Sequence, residues 1–171
     1  MRRAAPLVAL LLTAPAPAMA VADASGGEER SAAAPRITAR GVGQVKLGMP
    51  FGELRDRGLV GRLRPGCELA PDQRIARLRS PLRGSVTFVD RKARRISVVG
   101  GARARGVGIG DRIPDIRDAY PRAKVDRSTE GTFGITLVRV PRNGGGRIQF
   151  AVPVDTGEID IIAVPVVPFC E

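Results

Sequence analysis

The sequence predicts an α+β protein: two helix-plus-three-strand repeats, with short helices packed on a mainly antiparallel sheet. Three observations lead there. Val45–Gly58 (VKLGMPFGELRDRG) returns sixty-two positions later as Val107–Tyr120 (VGIGDRIPDIRDAY), with Leu47, Phe51 and Leu54 matched by Ile109, Ile113 and Ile116. Each copy is followed by three runs in which apolar and polar residues alternate, the period of a half-buried strand. At the same offset Ala76 and Leu78 fall on Val138 and Val140, and Val86 and Phe88 fall on Ile148 and Phe150; with one extra residue, Ile96, Val98 and Val99 fall on Ile159, Ile161 and Ile162. Two units are too few for a stacked array, so the pattern implies one folded domain over 37–171, with repeats at 37–99 and 100–171.

In chain order, residues 1–20 have the form of a secretory signal peptide: Arg2 and Arg3, an apolar run from Leu7 to Leu12, and Ala18-Met19-Ala20 as a small-x-small cleavage site. Residues 21–36 are small, polar and aperiodic, the composition of a flexible leader. Ile37–Lys46 leads into the first helix. Pro50 suits an early helical position and Gly58 a left-handed stop, with Phe51 and Leu54 on one face. Gly61–Pro71 reads as a loop, Arg74–Arg79, Ser85–Asp90 and Arg95–Val99 as strands. Gly100–Gly110 joins the repeats, and Asp111 is the expected N-cap of the second helix, which stops before Pro121. Ile135–Pro141, Arg147–Val152 and Glu158–Val164 complete the second set, with Asn143-Gly144-Gly145-Gly146 as a hairpin loop.

Composition bounds the function. The chain carries 28 Lys and Arg against 17 Asp and Glu. Without Arg2 and Arg3 that leaves 26 cations and a formal charge of +9. Such a charge implies either a solvated cationic surface or attraction to an acidic protein, an anionic polymer or an anionic lipid surface. Nucleic acid is not indicated: no Trp, one Tyr and five Phe offer few stacking platforms, and no nucleic-acid-binding signature occurs. No stretch of the mature chain is long and apolar enough for a membrane span. Cys67 and Cys170 are an even pair in an oxidising compartment, the setting of a structural disulfide.

No histidine is present, which removes Ser-His-Asp and Cys-His catalysis and most zinc sites. Asp155, Glu158 and Asp160 form the only tight acidic cluster, without calcium-loop spacing. Gly106-Val107-Gly108-Ile109-Gly110 lacks the Gly-Lys-Ser/Thr of a phosphate loop and reads as a tight turn. The sequence therefore predicts no catalytic residue, no metal site and no cofactor.

The repeated Gly-Val-x-x-Gly…(Asp/Glu)-(Leu/Ile)-Arg unit, in VKLGMPFGELRDRG and VGIGDRIPDIRDAYPRA, resembles the exported superfamily that includes the beta-lactamase inhibitory protein and the SmpA/OmlA outer-membrane assembly lipoproteins. The resemblance covers most of 37–165 and implies helices on an antiparallel sheet whose other face is free for protein partners. It departs from those proteins in carrying no anchoring cysteine at the cleavage site and in exposing Arg where the inhibitory protein exposes aromatics. The expectation is an exported protein, periplasmic or secreted. It is a non-catalytic binding domain whose basic sheet face, with Arg74, Arg77, Arg94 and Arg95, meets an acidic exported or envelope protein. The alternative is an envelope-associated structural protein held to anionic lipid or polymer by charge alone.

Overall fold

The computed structural model describes residues 34–141 and 146–169. The expected signal peptide, most of the leader, Asn143 to Gly145 and Cys170 lie outside them.

The fold is dominated by sheet, which corrects the expectation of two helix-plus-three-strand repeats. A small sheet is built from β1 (Ile37–Thr38), β2 (Gly41–Val42) and β3 (Val45–Lys46). The helix α1 (Phe51–Asp56) precedes four strands, β4 (Val60–Pro65), β5 (Arg74–Leu78), β6 (Arg83–Val89) and β7 (Lys92–Gly100). The helix α2 (Ile113–Ala119) likewise precedes four, β8 (Lys124–Asp126), β9 (Ile135–Pro141), β10 (Arg147–Pro153) and β11 (Ile161–Val164), with a one-turn helix α3 (Glu130–Phe133) inserted after β8. All eight join in one antiparallel sheet of order β4-β5-β6-β7-β11-β10-β9-β8. The segment read as a loop from Gly61 thus begins as strand β4, and Lys124–Asp126 is a strand the alternation did not reveal. Both are edge strands. Arg62, Arg64 and Pro65 on one and Lys124 and Asp126 on the other discourage further pairing with another chain.

The halves meet where β7 pairs β11, Val98 opposite Ile162 and Ile96 opposite Val164. One core lies on the inner face of the sheet, under the helices and the small sheet. Leu54 and Ile116, equivalent positions of α1 and α2, are both fully buried in it. Phe51 meets Phe88 edge-on with ring centroids 5.4 Å apart, and Tyr120 tilts against Phe150 at 6.2 Å. Helices of two turns have little intrinsic stability, so these contacts hold them in place.

The ladders also correct the repeat's register. Pro50 bridges Lys92 as Arg112 bridges Glu158. Gly48 N–H donates to Ala93 O as Gly110 N–H donates to Ile159 O. The sixty-two-residue offset therefore holds through the helices, β4 and β5, but the strand pairings carry it to sixty-four in β6 and sixty-six in β7. Val86 corresponds to Phe150, Phe88 to Val152, and Ile96 and Val98 to Ile162 and Val164. Val99 does not match a core position: it is 40% exposed, on the outer face. Asp111 is not the cap of α2 either. Arg112 occupies that position, its N–H bonded to Asp115 Oδ2, while Asp111 Oδ2 accepts Gly108 N–H at 2.7 Å in the preceding turn. At Gly84, where the β6–β7 register shifts, φ is 141° and a Cβ would lie 2.0 Å from Ser97 O, so only glycine fits.

Candidate functional site

Alternation along the ladder sorts the four predicted arginines. Arg77 lies opposite Ser85 and Arg95 opposite Thr87, on the outer face, away from the helices. Arg74 shares the parity of Ala76 and Leu78, which are buried on the inner face. Its guanidinium closes its own loop, donating to Pro71 O at 2.6 Å and Gln73 O at 2.9 Å. Arg94 is the extra residue of a bulge, since Thr87 pairs Arg95 while Phe88 pairs Ala93. The structure therefore places Arg77 and Arg95 on one face, with β6 between them, and leaves Arg74 and Arg94 off it.

The residue sequence reasoning missed is Arg64. It pairs Ile75 across β4–β5, so it sits on the outer face diagonal to Arg77. The outer positions of this half are Arg64, Ile75, Arg77, Ser85, Thr87, Arg95, Ser97 and Val99, and none is acidic. Arg64, Arg77 and Arg95 form no ion pair or side-chain hydrogen bond with any described residue. Two hydroxyls between them, Thr87 Oγ1 and Ser97 Oγ, are buried and without a hydrogen-bond partner. A groove of about 860 Å³ opens at the Val99 end, lined by Ile75, Arg77, Pro81, Arg83, Ser85 and Val99. Cationic rim and apolar wall together suit a ligand with both a carboxylate and an apolar group.

The second half presents the same positions in a closed state. Asp126, the counterpart of Arg64, pairs with Arg139, the counterpart of Arg77. Leu137, Ala151 and Ala163 form a separate apolar cluster with Val167, which comes from the segment after β11. Val167 N–H donates to Gln149 Oε1 at 2.7 Å, a buried bond, and Phe169 stacks on Phe133 with centroids 4.5 Å apart. The chain covers its own sheet there, and Val167 is itself buried.

Elsewhere the chemistry is sparse. Glu158 pairs with Arg112 at 3.2 Å, and Asp155 Oδ1 accepts the N–H of Thr156. No group of three or more acidic or cysteine side chains among the described residues is placed to hold a metal ion. No described helix is long and apolar enough to cross a membrane. Compared with known proteins, the chain matches no family model, no curated sequence and no solved structure.

Proposed function

We propose that the protein is an exported, non-catalytic binding domain that uses the outer face of β4–β7 to hold an acidic protein partner. The observation that carries this reading is the contrast between the halves: on β8–β11 the outer charge is neutralised and the sheet is covered by the chain's own segment, whereas on β4–β7 the charged outer positions, Arg64, Arg77 and Arg95, are all cationic and form no ion pair with a described residue. Arg suits the role, because its planar fork pairs carboxylates in a bidentate way and sheds water more readily than Lys. The leader pattern supports export, and the resemblance of the repeat to exported partner-binding domains supports the use of the sheet face.

The test is retention of partners from the envelope and culture medium of the source, washed at low and then high salt, by the natural protein and by Arg77→Glu/Arg95→Glu. Both sites are exposed or half-buried, so the variant should keep its fold. One protein retained at high salt and lost by the double reversal is the expected result. Loss of everything at high salt, with equal binding to anionic vesicles by any single-arginine variant, would instead establish association by charge alone.

A further inference from the structure

We propose that the outer face of β4–β7 receives a short extended peptide carrying an aliphatic side chain next to a carboxylate, seated as the chain's own Val167 is seated on β9–β11. This names the partner chemistry of the site proposed above and rests on that reading.

The second half supplies the template. Through the offsets fixed by the ladders, Leu137, Ala151 and Ala163, which hold Val167, correspond to Ile75, Thr87 and Ser97. Ser85 stands where Gln149 accepts the Val167 N–H, and two further changes bear on what the seat would take. Where β10 and β11 have alanine methyls, β6 and β7 have hydroxyls, both buried and both without a partner. Burying a hydroxyl unpaired is unfavourable, and a peptide backbone laid along the seat offers the missing N–H and C=O groups. Arg95 stands directly opposite Thr87 and two residues from Ser97, and its side chain forms no ion pair or hydrogen bond with a described residue.

The second change is electrostatic. Asp126 neutralises Arg139 in the closed half, whereas Arg64 and Arg77 stand as diagonal neighbours of like charge in the open one. Diagonal residues on adjacent strands are within reach of long side chains, so one incoming carboxylate can be shared by both guanidinium groups. Ile75 and Val99 provide apolar surface beside that point. The seat therefore selects an aliphatic residue for its floor and an acidic residue for its rim.

The test is fluorescence anisotropy with three labelled hexapeptides: EVVPFE, which copies Val166–Phe169 with acidic flanks, KVVPFK, and hexaglutamate. EVVPFE should bind about tenfold tighter than either control, the discrimination a small apolar pocket combined with charge gives. Arg64→Asp, which installs the second half's ion pair, should weaken EVVPFE about tenfold with no fall in thermal midpoint. Equal binding of hexaglutamate and EVVPFE would overturn the seat while leaving the basic-face reading standing. EVVPFE binding that ignores Arg64→Asp would overturn the carboxylate placement. If no acidic probe responds to Arg77→Glu/Arg95→Glu, both this inference and the function it rests on fail.

Discussion

At the scale of single residues, the Asp126 carboxylate shows what its counterpart Arg64 lacks. Asp126 Oδ1 accepts the Ser128 hydroxyl at 2.7 Å and the Ser128 N–H at 3.0 Å, and Arg139 stands beside it. The Ser128 hydroxyl, then its N–H, hold the carboxyl below its ordinary value of 3.8 against the opposing effect of desolvation, and the Arg139 charge adds the least. A carboxyl whose folded pKa is depressed contributes its stabilisation in full above the unfolded value and loses it as pH falls through the folded one. The β8 edge should therefore stay paired through mildly acidic pH and loosen only below the ordinary carboxylate range. A carboxyl-resolved NMR titration should give Asp126 a midpoint under 3.8, and Ser128→Ala should raise it toward that value. No movement in the variant would remove the hydroxyl as the main cause.

At the scale of elements, α1 and α2 are legible in sequence because each is a whole unit of the repeat, with one core residue at its centre. Leu54 and Ile116 have no exposed surface. Truncating either to alanine should lower stability by about 2–5 kcal/mol, the range for a buried aliphatic. Alanine is the better helix former, so propensity alone would stabilise both variants slightly, and any loss seen in urea unfolding reports packing. The strands were less legible, for identifiable reasons. Val60–Pro65 is an edge strand broken by a bulge, with Gly61, Arg62 and Arg64 hiding its alternation. Lys124–Asp126 is too short to show a period. A constant offset also fails wherever the turns differ in length, which is why it aligns Val99 with a core position that Val99 does not occupy. Arg74 needed no coordinates: alternation already places it with Ala76 and Leu78, opposite in face to Arg77. The seat could not be read at all, because Arg64, Thr87 and Ser97 share a face only when four strands, β4 to β7, are in register.

For the whole molecule, the central question is what holds the C-terminal segment over the second half. Cys67 follows the β4 edge strand, and Cys170 comes directly after Phe169; among the described residues no cysteine is free. We propose that the two form a disulfide, so that a thiol assay on the denatured, unreduced protein should read none. Closing a loop of about 100 residues constrains the unfolded chain, and reduction should lower stability by up to about 4.7 kcal/mol. The segment also has anchors of its own: the Val167–Gln149 bond, the Leu137, Ala151 and Ala163 seat, and the Phe133–Phe169 stack. If those anchors hold it, reduction should reduce global stability yet leave the Val167 amide protected from hydrogen exchange to the level of its neighbours in β10. Selective loss of protection at Val167 would mean that the covalent bond, and not the seat, keeps the segment in place. The second half would then cease to be a template for what the first half binds, and the basic face would have to be explained by charge alone.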